Sequence, residues 1–349
     1  MSIRTIREIG GQYEISTGVS KNDLERLSSN PKTKSIQIAD PLTNKEIMLL
    51  ETIIFSKRPD ILFRVYGHYG KTCDLTFIKQ LPSLRKISAD CLMEAKGIES
   101  VTKLKNLDVL GLGIFNLDNF DFLEYIDPKI KELYLHQTKS KKPKIDIIGK
   151  FSNLEFLYLE GQQKGIEVIQ HLHKLKKIIL RSISTNNVDY LIGLQDLWSV
   201  DIKIGGIKNF DGLLTLPKLK YLELWQIRDL KDLSFVSELT TLQNLFIQSL
   251  KQVQRLPSFS KLTSLKRIYL ENLKELTDLS TLKTAPALEE FIYVLAQNQE
   301  PENLIPVLEN QSLKRIFCKF GSDKKNDRFD KLVTSYKKEQ YDYSEFEYI

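Results

Sequence analysis

A short apolar pattern recurs along most of this chain at nearly constant spacing, and it constrains the fold more than any other feature. The pattern is L-x-x-L-x-L, with Ile, Val or Phe also allowed. It appears as LRKISA, LDVLGL, IKELYL, LEFLYL, LKKIIL, LWSVDI, LKYLEL, LQNLFI, LKRIYL, LEEFIY and LKRIFC. Its first positions run from Leu84 to Leu313 with a mean spacing of 22.9 residues and individual spacings of 21 to 25. A period held this closely predicts a stacked repeat array.

Each repeat predicts a short alternating strand, a turn and a second apolar group. In that group, as in DLSFVSELTTL, leucines lie three residues apart, which is typical of one turn of helix or 3-10 helix. One repeat cannot bury its own apolar face, whereas stacked repeats place their strands side by side and merge their leucines into one core. The expected fold is therefore α/β, a curved solenoid with a parallel concave β-sheet and helical or 3-10 convex segments.

These repeats resemble the leucine-rich repeat family, and more narrowly the repeats of about 22 to 23 residues in bacterial internalins and in the phosphatase-regulatory class. The resemblance covers about residues 84–320 and implies a leucine-rich repeat solenoid that recognises proteins. One position departs from the family, because apolar residues replace the usual asparagine three residues after the third leucine. This holds in five repeats, at Phe115, Ile183, Ile227, Leu250 and Leu273. The turns must therefore pair their backbone groups in another way.

Residues 1–83 are expected to form an N-terminal cap with degenerate repeats. SIQIAD and ILFRVYG predict two strands at wider spacing, and NDLERLSS predicts a short helix. Asn22 or Asp23 is the expected N-cap of that helix, because a short polar side chain can accept from the first free N–H groups. The array proper is expected over residues 84–320.

Residues 321–349 are expected to cap the other end, so that the whole chain forms one continuous solenoid. Helical spacing of apolar residues predicts a capping helix that includes Phe329, Leu332, Val333 and Tyr336. The final YDYSEFEYI is acidic and aromatic. It either packs on the cap or frays from it, or it is a short peptide offered to a partner.

Alternation along each strand places the third, fifth and seventh positions of a repeat on the concave surface and the first, fourth and sixth in the core. At about 4.8 Å per strand, ten spacings would span roughly 48 Å, enough for a standard interface of about 800 Å² per side. Aromatic residues and arginine alternate there with other charges, and they are typical of interface hot spots. The alternative is that they reflect only the preference of sheets for aromatic residues and cross-strand packing. The predicted partner-binding residues are Tyr134, Phe156, Tyr158, Glu160, Arg181, Lys203, Tyr221, Glu223, Trp225, Phe246, Arg267, Tyr269 and Phe317.

The chain offers little catalytic chemistry. GLGIFN departs from G-x-G-x-x-G, and no G-x-x-x-x-G-K-[ST] occurs. His171 and His173 have no Cys or carboxylate at ligand spacing, and Cys318 falls in an inward position. We therefore expect no enzyme activity, no cofactor and no metal, with a nucleophilic cysteine as the minor alternative.

The charge and cysteine patterns bear on partner and compartment. The net charge of +6 is mild, and the densest basic run, KSKKPK at residues 139–144, has no interleaved aromatic residue. A solvated loop is therefore favoured over a nucleic-acid contact. Three scattered cysteines do not form a disulfide framework, and no apolar stretch has the length of a signal peptide or membrane span. We expect a cytoplasmic protein without membrane contact.

The predicted function is non-enzymatic protein binding on the concave face. The most specific form of this prediction is a bacterial immunity protein, an inhibitor that neutralises a toxin. It rests on analogy with ribonuclease inhibitor, a member of the same broad family. The alternatives are a scaffold or regulatory subunit in signalling and, less favoured, a nucleic-acid-binding protein. The sequence leaves the partner and the oligomeric state open.

Overall fold

The computed structural model describes residues 5–67, 70–140 and 143–349. The chain divides into two compact units, Met1–Leu175 and Lys176–Ile349. Each unit is built from short strands that lie side by side, with helical turns between successive strands.

The first unit opens with an antiparallel hairpin, and its later strands are parallel. The strands are β1 (Ile6–Ile9), β2 (Gln12–Ile15), β3 (Ser35–Ile38), β4 (Leu62–Tyr66), β5 (Thr72–Asp74), β6 (Lys86–Leu92), β7 (Glu94–Lys96), β8 (Val109–Ile114), β9 (Glu132–Leu135) and β10 (Phe156–Glu160). They pair in the order β1-β2-β3-β4-β6-β8-β9-β10, while β5 pairs with β7 in a separate small sheet. The two predicted degenerate strands are confirmed as β3 and β4.

Helices of the first unit lie between these strands. They are α1 (Lys21–Ser29), α2 (Asn44–Leu49), a π-helical turn (Leu50–Phe55) and the 3-10 helices Thr76–Gln80, Ile98–Lys103, Asp121–Tyr125, Asp146–Lys150 and Ile166–His171. The predicted helix in NDLERLSS is confirmed as α1, but the expected N-cap was wrong. Ser20 is the cap, because its hydroxyl accepts from the backbone N–H of Asp23 at 3.1 Å, and the helix therefore starts two or three residues earlier than expected.

The second unit consists of parallel strands that pair in chain order. They are β11 (Lys177–Arg181), β12 (Ser199–Lys203), β13 (Tyr221–Trp225), β14 (Asn244–Gln248), β15 (Arg267–Glu271), β16 (Glu290–Val294), β17 (Arg315–Cys318) and β18 (Glu339–Gln340). The helices are α3 (Ile305–Leu308), α4 (Asp323–Ser335) and the 3-10 helices Asp189–Leu191, Asp211–Thr215, Ser234–Glu238, Ser280–Thr284 and Pro301–Leu304.

The strands have the predicted register. In every repeat from LRKISA to LKRIFC the strand begins two residues after the first apolar position, and the side chains at the fourth and sixth positions are buried. Tyr158 and Phe246, assigned to the outer side of their strands, are half-buried and lie outside the core. The parallel sheet with 3-10 segments confirms the expected fold class within each unit.

Main-chain hydrogen bonds replace the missing asparagines in the second unit. Four of the five apolar substitutes, all except Phe115, are buried. The residue before this position, the eighth of the repeat, has a left-handed backbone, with φ of 57° at Ser182 and 51° at Ile204. Its N–H donates to the last carbonyl of the next strand, from Ser182 to Lys203 and from Ile204 to Trp225, both at 2.8 Å. The left-handed backbone costs roughly 1 to 2 kcal/mol at a residue other than glycine. The hydrogen bond offsets that cost because it gives a partner to a backbone N–H and a carbonyl of the turn.

The expected capping helix is present as α4. It begins after Ser322, whose hydroxyl accepts from the backbone N–H of Lys325, and it extends further towards the N-terminus than the sequence pattern indicated. Phe329 and Val333 are buried, whereas Leu332 and Tyr336 are half-buried. The helix therefore turns one apolar stripe inward, as predicted.

Leu222→Ala should destabilise the second unit by roughly 2 to 5 kcal/mol, because Leu222 is fully buried on β13 and a close-packed neighbourhood cannot collapse into the cavity. Urea denaturation followed by circular dichroism measures this change. Leu214→Ala is the matched control: Leu214 is 43% exposed, so its loss should cost under about 1 kcal/mol. Equal unfolding midpoints for the two variants would contradict the assigned register.

Candidate functional site

The predicted partner-binding residues divide between the two units. Tyr134, Phe156, Tyr158 and Glu160 lie on β9 and β10 of the first unit, and the remaining nine lie on β11 to β17 of the second. All occupy the third, fifth or seventh position of a repeat, and we call the side chains at these positions the strand face of their unit. The two groups lie in different environments.

The strand face of the first unit carries an aromatic cluster made of Tyr134, His136, Phe156 and Tyr158. The Tyr134 ring centroid lies 4.8 Å from that of Phe156 and 6.4 Å from that of Tyr158, and His136 lies 4.9 Å from Tyr158. All four side chains are half-buried. The cluster forms because parallel pairing sets Tyr134 directly beside Tyr158. His136 belongs to it although it was not among the predicted site residues.

Carboxylates orient the tyrosines of this cluster. The Tyr134 hydroxyl donates to Glu132 at 2.9 Å, and the Tyr158 hydroxyl donates to Glu160 at 3.1 Å. Burial, together with the charge of Glu132, raises the pKa of Tyr134, so this phenol stays protonated at neutral pH. The rings therefore stand in fixed orientations before any partner arrives.

On the second unit, two acidic side chains lie side by side. Pairing of β12 with β13 puts Asp201 directly beside Glu223, and Lys203 bridges them with its Nζ 3.2 Å from Asp201 Oδ2 and 2.9 Å from Glu223 Oε2. The Tyr221 hydroxyl also donates to Glu223 at 3.1 Å. Burial, and secondarily the neighbouring charge of Glu223, raises the pKa of Asp201 to about 6. We call Asp201 and Glu223 the acidic pair.

Two ring contacts follow along the same face. The Arg181 guanidinium lies 5.2 Å from the centroid of the Trp225 ring, a cation–π geometry, and Phe246 meets Tyr269 edge-on with centroids 4.5 Å apart. These four side chains are half-buried. They keep accessible surface while contact with neighbours restricts their movement.

Arg267, Glu290 and Arg315 form a charged row on neighbouring strands. Arg267 Nε lies 2.5 Å from Glu290 Oε2, and Arg315 pairs with the other oxygen of the same carboxylate. Arg267 and Glu290 are buried although they lie on the strand face. Something must cover them, because a bare sheet surface would leave both side chains in water.

The cover is the segment of residues 341–349, which we call the tail. It crosses the strand face of the second unit from β17 to the start of β12. Tyr343 contacts Phe317 with ring centroids 5.2 Å apart, the Phe346 ring lies 4.9 Å from the Arg267 guanidinium, and Tyr348 lies 5.0 Å from Trp198. The sequence left open whether YDYSEFEYI packs on the cap helix. These contacts are instead with side chains of the sheet.

The tail contacts both predicted and unpredicted residues. Among the predicted ones it contacts Tyr221, Arg267 and Phe317. The sequence prediction missed its other contacts, Trp198, Gln243, Asn244 and Arg315. Trp198 and Gln243 occupy the second position of a repeat, which alternation assigned to neither face.

The three cysteines differ in environment: Cys91 is exposed, with Arg64 Nη2 3.9 Å from its Sγ. Cys73 and Cys318 are buried thiols, and burial raises the pKa of Cys73 to about 11 and also raises that of Cys318, which keeps both protonated. His171 and His173 are exposed. Within the described ranges no three His, Cys, Asp or Glu side chains come close enough to hold a metal ion. Each helix in the described part of the chain is too short or too polar to span a bilayer.

Comparison with known proteins gives similarity in fold. No family model and no curated protein matches the chain. A crystal structure of an internalin from Listeria monocytogenes is 17% identical with a TM-score of 0.57, and the match covers 94% of this chain and 90% of that one. The leucine-rich repeat fold, similar to that of an internalin, is thereby confirmed.

Two further solved structures are more distant. A leucine-rich repeat protein of Leptospira interrogans is 15% identical, with a TM-score of 0.43 and coverage of 91% of this chain and 98% of that one. The leucine-rich repeat domain of the type III effector XopL is 18% identical, with a TM-score of 0.39 and coverage of 50% of this chain and 64% of that one.

Asp201→Asn should stabilise the protein at neutral pH and not at pH 4. A carboxyl whose pKa is raised on folding binds its proton more tightly in the folded state, so the unaltered chain loses stability as pH rises from about 4 to 6. Asparagine has no charge to bury, and the gain at pH 7 should be roughly 1 to 3 kcal/mol. Urea denaturation at pH 4 and pH 7 measures the difference.

The control for this change is Asp229→Asn, at an exposed aspartate of the same unit. It should alter the free energy of unfolding by less than about 0.5 kcal/mol at either pH. A gain of equal size for Asp201→Asn at both pH values would show that titration of the buried carboxyl is not the cause.

Proposed function

We propose that this chain is a non-enzymatic protein that binds a partner protein through its strand faces. One observation carries the proposal: aromatic side chains stand half-exposed and in mutual contact on a sheet whose other side is a packed apolar core. Such rings bury a large area on binding at little entropic cost, because packing already restricts them. The residues proposed for contact are the thirteen named from the sequence, together with His136.

A protein partner is favoured over a nucleic acid by the charge arrangement. Lys203 faces the acidic pair, and Arg267 and Arg315 share Glu290, so their charges are already compensated. Phosphate binding depends on basic side chains that are available to neutralise it. In the basic run KSKKPK, Lys141 and Lys142 lie outside the described residues.

Within this class we propose the inhibitor version: a bacterial, cytoplasmic immunity protein that covers a toxin. The cytoplasmic assignment rests on the scarcity of cysteine: Cys73, Cys91 and Cys318 are too few and too scattered for a disulfide framework, which fits a reducing compartment. The toxin partner rests on analogy with ribonuclease inhibitor. A scaffold that assembles a signalling enzyme uses the same surfaces, and the experiments below separate the two.

Tyr158→Ala and Trp225→Ala should each weaken partner binding by about 2 kcal/mol, roughly thirtyfold, if these rings are hot spots of their units. The partner is first captured on the immobilised chain and identified by mass spectrometry, and the purified pair is then titrated by calorimetry. Tyr125→Ala is the matched control, because Tyr125 is 73% exposed on a 3-10 helix away from the strands. A partner that binds all three variants equally well would place the site elsewhere.

Co-expression should protect cells from a toxin encoded beside the gene for this chain, because an inhibitor acts by occupying its target. Trp225→Ala should reduce survival at unchanged protein level, and Tyr125→Ala should not. Colony counts with and without toxin induction measure protection. Tight binding of the partner without any protection would favour the scaffold.

A further inference from the structure

The contacts of the tail run across the strands. Its residues contact β17, β15, β14, β13 and the residue before β12, a crossing of about 24 Å at 4.8 Å per strand. The segment turns near its start, where Tyr343 has a left-handed backbone with φ of 58° and the N–H of Ser344 donates to the Asp342 carboxylate at 3.2 Å. Beyond this turn the tail occupies the face as a short bound peptide would.

Side chains of the strand face hold the backbone of the tail. Gln243 accepts from the N–H of Ile349 at 3.0 Å and donates to its carbonyl at 2.9 Å, and Arg267 Nη2 donates to the carbonyl of Ser344 at 3.1 Å. Contacts of this kind recognise main-chain groups whatever the side chains of the peptide. They form a receptor for peptide backbone.

Other contacts recognise side chains of the tail. Trp198, with the Lys177 ammonium 4.4 Å from its ring centroid, packs against Tyr348, while Arg267 stacks on Phe346. Arg315 pairs with Asp342 at 3.0 Å. The face therefore selects two aromatic residues at alternate positions and a carboxylate four residues before the first of them.

The tail is held in a way that permits exchange. Beyond Tyr341, whose N–H donates to the carbonyl of Ile316, the described structure gives the tail no backbone-to-backbone hydrogen bond. Tyr343 is 63% exposed and Ile349 is 77% exposed. Segments with few buried apolar contacts open at low free-energy cost, so the tail can leave without disrupting the sheet.

We infer that the groove formed by Trp198, Tyr221, Gln243, Asn244, Arg267 and Arg315 is a binding site for a short peptide segment of the partner. Its ligand carries aromatic residues at alternate positions and an acidic residue upstream, and the tail occupies the site as a built-in competitor. This inference rests on the proposed function and names the partner segment. Because the tail is tethered, its effective concentration is of millimolar order, and a partner must displace it.

The test uses the full chain and a fluorescent, acetylated and amidated nonapeptide with the sequence of residues 341–349. The double variant Phe346→Ala with Tyr348→Ala keeps the chain complete but weakens its own tail as competitor. Fluorescence polarisation should show at least tenfold tighter peptide binding by the double variant than by the unaltered chain. A nonapeptide of scrambled order should bind at least tenfold more weakly than the native order.

Arginine substitutions in the double variant test the groove. Adding Arg267→Ala should lower peptide affinity at least tenfold, whereas Arg228→Ala, at an exposed arginine of the same unit, should leave it within twofold. Melting curves check that each variant folds, and Trp198→Ala, at a half-buried surface ring, replaces Arg267→Ala if that variant does not.

Two results would overturn the inference: no peptide binding by the double variant up to 1 mM peptide (about 4 kcal/mol of binding free energy), or equal affinity with and without the groove substitutions. Neither result contradicts the proposed function, which is tested separately. That test reads partner binding by Trp225→Ala, at a ring that contacts Arg181.

Discussion

Backbone pairing between neighbouring repeats, together with the shared apolar core beneath it, supports everything else in each unit. A single repeat has too few apolar residues to bury its own strand, and its turn leaves main-chain groups without partners. Stacking satisfies both needs, since Leu222 packs in the core while the N–H of Ile204 reaches the carbonyl of Trp225 in the next repeat. The outer side chains can vary freely because the inner ones and the backbone hold the register.

That division explains why unusual chemistry can collect on the strand faces. Parallel pairing in register sets the fifth position of each repeat beside the fifth of the next, so Asp201 meets Glu223 and Tyr134 meets Tyr158. The acidic pair costs stability through desolvation and repulsion, and Lys203 offsets part of that cost. The aromatic cluster stabilises its own geometry. A fixed arrangement of rings and charges is what a recognition surface requires.

The tail changes how the second unit should be considered as a binding surface. Arg267 and Glu290 are buried because residues 341–349 lie over them, and the tail contacts combine backbone hydrogen bonds with ring stacking. A partner for this face therefore competes with a segment of the same chain, whereas the aromatic cluster of the first unit is half-exposed as it stands. The two faces should differ in how readily they are occupied.

The sequence by itself determined the repeat, its period, the strand positions and the side of each strand on which every predicted residue lies. All of these follow from local alternation of side chains and a regular spacing of leucines. Only the tertiary structure decided where the tail lies, which charges are buried and why Trp198 and Gln243 matter. The bonds concerned join residues far apart in the chain, 106 positions between Gln243 and Ile349 and 77 between Arg267 and Ser344. No periodic pattern encodes such contacts, because they depend on the complementarity of a single segment to a surface that exists only once the repeats have stacked.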